Sequence, residues 1–206
     1  MSGAFPISTA KFESLGIKST QNTIISKTVS GKKLARQIDN QRFGFTAKVI
    51  TAKRSDIYGE LMAFIVKQRS GKENFTIVPP EIQNARGNET GTVLVNGVHA
   101  VGDTTIAMDA FAGDGDGRFK AGDFVKFAGH DKVYMIVSDV TSSSNSATVT
   151  IEPPLLTALS DNEVVTYDSV PFTVHLVNDM QEFGVVGADK DGNALYQFEF
   201  DVEETL

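Results

Sequence analysis

Gln197-Phe198-Glu199-Phe200-Asp201-Val202-Glu203 alternates apolar with polar or acidic residues at every step. On an extended chain Phe198, Phe200 and Val202 face one way and Gln197, Glu199, Asp201 and Glu203 the other; this period of two marks a strand with one buried face. Such a strand needs a sheet to cover its apolar side. The other end of the chain supplies one. Residues 42–51 alternate in the same way, with Phe43, Phe45, Ala47 and Val49 on one face and Arg42, Gly44, Thr46 and Lys48 on the other. Asp39-Asn40 punctuates the chain just before, as a hairpin turn would, and residues 23–29 form a β-branched candidate strand. Residues 74–78 read as a short strand stopped by Pro79-Pro80, residues 172–177 as another, and residues 189–192 as a turn.

One helix is expected between these strands. Ser55 suits an N-cap, and Asp56 and Glu60 lie where the helix dipole favours anions. Ile57, Tyr58, Leu61, Phe64 and Ile65 recur at three- and four-residue spacing and make an apolar stripe. Lys67 and Arg69 follow in the last turn, and Gly71 stands where a C′ glycine belongs.

Between the two blocks lies a stretch of strand and turn. Residues 81–92 (EIQNARGNETGT) are polar and glycine-bearing, as a linker is. Residues 104–108, 124–128, 133–140 and 147–151 read as short strands. Gly113–Gly117, Gly129–Lys132 and Thr141–Ser146 separate them as turns. About five strands in so short a stretch suggest a small closed barrel. The expected fold is therefore mainly β: a β-sandwich core with one α-helix, split over residues 1–83 and 166–206, and an inserted OB-like β-barrel over residues 84–165.

Charge follows the same division. Residues 1–80 carry net +8, residues 81–164 net −7 and residues 165–206 net −8, within an overall −7 for the 206-residue chain. The ends neutralise each other, as segments that pack together would, and the middle block carries the excess.

Function by chemistry is mostly excluded. With no cysteine there is no disulfide and no thiolate metal site. The opening residues 1–16 lack an apolar core behind a basic start, so no secretory signal is expected. The longest apolar runs are about six residues, against roughly 20 for a bilayer span, so no membrane insertion is expected. His99, His130 and His175 have no second histidine or carboxylate at ligand spacing on one expected face. His175 is expected to be structural, and His130 to be a solvated turn residue. Asp114 and Asp116, like Asp189 and Asp191, sit in glycine-bearing turns. They lack the alternating ligands and the final glutamate of a calcium loop, and are expected to bond the local backbone. No nucleophile elbow, Walker loop or dinucleotide fingerprint occurs. No catalytic, metal or cofactor-binding residue is assigned, no cofactor is expected, and the chain is not expected to be an enzyme. A nucleic-acid role for the middle block is disfavoured by its charge and by the absence of tryptophan.

Two stretches carry a family resemblance. Lys120-Ala121-Gly122-Asp123-Phe124 through Lys132-Val133-Tyr134-Met135-Ile136, followed by Ser142 to Asn145, Val149-Thr150-Ile151 and Pro153, is one. Val170-Pro171-Phe172-Thr173-Val174-His175-Leu176 is the other. Both resemble the distal tail (Dit) proteins of siphophages, in particular the T-five-like kind, from about Phe12 onward. The resemblance implies a tail-tube-like sandwich core carrying an OB-like insertion. It implies a structural protein of the virion, made in the host cytoplasm and placed at the tail tip or baseplate. As a homo-oligomer, a hexameric ring, such a protein joins the tail-tube protein to the baseplate hub or tail-tip protein. DNA passes through the lumen without specific binding, and collar or fibre proteins are further candidate partners. Ring contacts are heterologous. The acidic row Glu199, Asp201 and Glu203 is therefore expected either to line the lumen or to meet basic residues of a neighbouring subunit. Two other functions compete: a tail-tube or tail-terminator subunit, which would stack into long tubes, and a host-surface carbohydrate-binding module built on the inserted barrel, with Tyr134 and Phe111 as candidate platforms.

Overall fold

The alternating run around Phe45 forms a strand whose Phe43, Phe45, Ala47 and Val49 are all buried. In the computed structural model, which describes residues 3–6 and 12–206, it is the fourth of the chain. The strands in order are β1 (Phe12–Thr20), β2 (Thr23–Lys27), β3 (Lys33–Gln37), β4 (Arg42–Val49), β5 (Ala52–Lys53), β6 (Phe75–Ile77), β7 (Leu94–Val95) and β8 (Thr105–Asp109). They continue with β9 (Phe124–Phe127), β10 (Val133–Ile136), β11 (Ala147–Glu152), β12 (Val165–Thr166), β13 (Phe172–Leu176), β14 (Gly184–Ala188), β15 (Ala194–Gln197) and β16 (Glu199–Glu204). One α-helix, α1 (Gly59–Lys67), occurs among the described residues. Among the described residues the chain is mainly β with a single α-helix and a nearly closed barrel-like sheet, as its residue patterns imply.

Two compact units form, Met1–Phe75 with Val174–Leu206, and Thr76–Thr173. Within the first span, residues 1–2 and 7–11 lie outside the described residues. The unit boundaries fall inside β6 and β13, several residues outside the expected 84 and 165. The cause is the stretch read as a linker, which is held by the second unit. Asp168 Oδ1 accepts the Ala85 amide (2.8 Å), and the Ser169 amide donates to the Gln83 carbonyl (2.5 Å). Buried Asp123 accepts the amides of Arg86, Gly87 and Lys120 at 2.8, 3.3 and 2.7 Å. Backbone donors satisfied by a buried carboxylate hold a polar segment firmly.

The first unit is built on a five-stranded sheet ordered β1-β4-β16-β13-β6. β16 lies antiparallel between β4 and β13, with Phe45 opposite Val202 and Ala47 opposite Phe200. β14, β15 and β5 make a separate three-stranded sheet. The long C-terminal strand expected over 197–203 is thus broken at Phe198, where the chain changes sheets. Phe198 is buried, stacks on Phe183 at 4.6 Å and on Phe200 at 5.4 Å, and its carbonyl accepts the Val49 amide (2.9 Å). Each ring so buried contributes roughly 1.5–3 kcal/mol.

The helix carries the expected stripe: Leu61 and Ile65 are buried, and Phe64 packs edge-on to Phe75 at 5.3 Å. Its ends differ from expectation. It opens with a wide π-helical turn, Arg54–Tyr58, in which the Ser55 hydroxyl contacts Asp56 rather than a backbone amide. Left-handed backbone at the other end falls on Arg69 (φ 53°) and Ser70 (φ 59°), not on Gly71. Gly71 serves a different need. A Cβ on it would lie 2.5 Å from the Leu176 carbonyl oxygen of β13, so only hydrogen fits.

The second unit is a barrel. Its strands run in the order β12-β9-β10-β11-β8-β7, and every pair is antiparallel. β9, β10 and β11 form a meander and β12 returns beside β9, which is a Greek key. Three bonds close the ring between its outer strands. The Val95 amide donates to Glu163 O (2.9 Å), Asn162 N to Val95 O (2.9 Å) and Val165 N to Val93 O (3.0 Å). So nearly closed a sheet leaves little free edge. The interior is filled by Val95, Ile106, Met108, Phe127, Tyr134, Ile136, Val149 and Ile151 among others.

Gly71→Ala should lower the unfolding free energy by about 1–3 kcal/mol through overpacking against β13. Gly16→Ala, whose Cβ would meet nothing nearer than Thr46 O at 3.9 Å, should change it little. Denaturant titrations of the two variants check this; equal effects would contradict it.

Candidate assembly surfaces

The outer face of the five-stranded sheet is a charge ladder. Glu199 stands opposite Lys48, Asp201 opposite Thr46 and Glu203 opposite Gly44, while Gly44 also faces Lys18 of β1. Gly44 has no side chain to intervene, and the Lys18 ammonium reaches Asp201 Oδ1 at 2.7 Å. The Thr46 hydroxyl donates to the same oxygen at 2.5 Å. These two bonds, the lysine's first, hold the Asp201 carboxyl below its ordinary pKa. On the next rung Lys48 pairs with Glu13 at 3.0 Å, and Gln197 Nε2 donates to the other oxygen of Glu13 at 2.6 Å. Of the three acidic residues assigned to this face, Asp201 is tied into its own sheet, Glu203 is half-buried and Glu199 is exposed.

A fourth carboxylate escaped sequence reasoning. Glu204 is fully buried, and the Phe43 amide donates to its Oε2 (3.1 Å). It shares its parity along β16 with Phe200 and Val202, so the period-two pattern places it on the inner face.

Beyond the sheet the chain sends out a two-stranded arm, β2 paired with β3. Every residue of both strands is exposed, including Ile24, Ile25 and Leu34. Asp39, expected to mark a hairpin into β4, caps the Asn40 amide at 2.8 Å instead, and the β3 residues pair only with β2. This unit also has an open, mixed polar and apolar cleft of about 320 Å³, lined by Met180, Glu182, Val186, Gln197 and Glu199 beside Lys48.

In the barrel the polar side chains serve the loops. Asp114 Oδ1 accepts the Asn145 amide (2.7 Å); that bond and one from Ser144 hold its carboxyl below the ordinary range. The Thr141 hydroxyl donates to Asp116 (2.7 Å). Buried Glu89 accepts the amides of Gly91 and Ala112 and faces Arg118 at 3.7 Å. His99 Nε2 accepts the Ala107 amide at 3.2 Å. His130 is not the solvated turn residue expected. Its side chain is 7% exposed, lies 3.6 Å from Glu163 and packs against Phe127. In the first unit His175 Nδ1 lies 3.1 Å from the Thr205 hydroxyl, and Asp189 is clamped by Lys53 and Asn193, which lower its pKa strongly. Among the described residues no three histidine or carboxylate side chains gather as a metal site would require.

Asp201→Asn tests the ladder through pH. A carboxyl held below its unfolded value of about 3.9 stabilises the fold above that pH and loses the effect as pH falls through its folded value. Thermal melts should therefore show wild type above the variant at neutral pH and the gap closing in acid. A gap independent of pH would overturn the assignment.

Residues 81–170, which span the whole barrel and a little under half of the chain, match the family model described as distal tail protein pb9, B domain. No curated protein matches the chain significantly. The match falls on the stretch where the resemblance is carried by Lys120–Ile136 and Val149–Pro153. It supports that resemblance: residues 81–170 are similar to a domain of a distal tail protein, and a match of this kind favours a structural component of the phage tail.

Proposed function

We propose that this chain forms a closed ring, a hexamer, at the distal end of the tail. It joins the tail tube to the baseplate hub or tail-tip protein and leaves an open channel for DNA. The family match over residues 81–170 is the observation that carries this reading. The barrel, read from sequence as OB-like, is a module inserted into the ring-forming part. With its edges nearly closed it is protected from strand addition by neighbours. The first unit is the ring-forming part, since it presents an unpacked arm and a charged sheet face. On this reading the protein works by shape and charge and performs no catalysis.

Glu199 and Glu203 are proposed for the lumen or for a subunit contact, with Asp201 as their anchor in the sheet. Carboxylates along a channel repel phosphates, so DNA slides where a basic lining would hold it.

The test is the mass of the purified full-length protein in solution together with electron images of the same sample. Single closed rings of six subunits are expected. Long stacked tubes would instead make it a tail-tube subunit. A chain that stays monomeric at its highest soluble concentration would count against ring formation by the protein alone.

A further inference from the structure

The arm is the least self-sufficient part of the first unit. An isolated two-stranded hairpin is marginal in water even with good cross-strand pairs, and this one has a poor pair. Lys27 stands directly opposite Lys33, and like charges facing each other across a ladder repel. Residues 21–38 contain Lys27, Lys32, Lys33 and Arg36 and no acidic residue. Among the described residues none of these four lies within salt-bridge distance of a carboxylate. On the face of Lys27 and Lys33 the strand alternation also places Ile25, which is 55% exposed. The face thus sets the rung of Ile25 and Ala35 beside a rung of two unneutralised cations.

The cleft on the same unit has the opposite character. Met180 is 80% exposed and Val186 54% exposed, and the carboxylates of Glu182 and Glu199 line the same cleft. Its one cation, Lys48, is already neutralised by Glu13 at 3.0 Å. Apolar and acidic side chains in one cleft match the arm in both hydrophobicity and sign, and complementarity of this kind selects partner and register.

We infer that the arm of one copy docks in the cleft of the next. Ile25 covers Met180 and Val186, and Lys27 and Lys33 face Glu182 and Glu199. The inference rests on the ring reading above and names its contact. Arm and cleft are different surfaces, so the contact is heterologous and passes from subunit to subunit until the circle closes. It also gives the Lys27–Lys33 pair the neutralisation that its own chain withholds.

The cysteine-free chain makes the test clean. Full-length protein carrying Ile25→Cys and Val186→Cys together should give, on oxidation, a ladder of covalent oligomers on a non-reducing gel, collapsing on reduction. Each single variant should stop at dimers or below. Lys27→Glu with Lys33→Glu should cut the ring fraction in solution by about tenfold or more, as like-charge juxtaposition does. Adding Glu182→Lys and Glu199→Lys should restore it. Melting temperatures of the variants establish that each is folded. If wild type forms no ring, the ring reading itself fails. If wild type forms rings while the charge-reversed arm assembles equally well, or if only an intramolecular disulfide appears, the ring stands and this contact is wrong. Intact rings that lose only retention of duplex DNA on reversal of Lys27 and Lys33 would assign the arm to nucleic acid instead.

Discussion

The antiparallel pairing of β16 with β4 joins residues more than 150 positions apart, and the first unit depends on it. Loop closure over that length is entropically expensive but grows only slowly with length. What offsets it is concentrated in a few rungs. Phe45 against Val202 and Ala47 against Phe200 bury the inner face, Glu204 takes the Phe43 amide inside, and Asp201 takes Lys18 and Thr46 outside. A shift of one residue would bring Glu199, Asp201 and Glu203 into the core, so the register is set by desolvation as much as by attraction.

Closure plays the corresponding part in the barrel. Three backbone bonds between two very short strands complete the ring. Two buried carboxylates, Asp123 and Glu89, pin the chain that leads into it by accepting amides that would otherwise be buried unpaired. The same segment, polar throughout, looks like solvent-facing linker in the sequence.

What could be read in advance divides along those lines. Periodicity found β4, the C-terminal strand, the helical stripe and four barrel strands, because each buries one face and alternation records it. It missed β7 and β12, which are too short to show a period. It missed the break at Phe198, because a change of sheet leaves alternation intact. Gly71 was assigned to a helix end when its cause is the Leu176 carbonyl, a contact over a hundred residues away that no local pattern encodes. Of the acidic row, the facing was legible and the partners were not: that Asp201 belongs to Lys18 depends on Gly44 leaving space between them. Glu204 could have been placed by parity alone. The arm was visible only as a β-branched run, since exposure is decided by what fails to cover it.

β6 and β13 are neighbours in the five-stranded sheet. The chain therefore leaves that sheet and rejoins it about one strand spacing apart, roughly 5 Å. Inserts with closely spaced ends are tolerated because the host need not stretch to hold them. Residues 76–173, nearly half of the chain, can thus be regarded as a cassette. Recombination between genes could swap it for a different module, or a short turn could replace it, while the strands on either side keep their alignment. Proteins that share the five-stranded sheet and differ in the inserted unit would arise by that route.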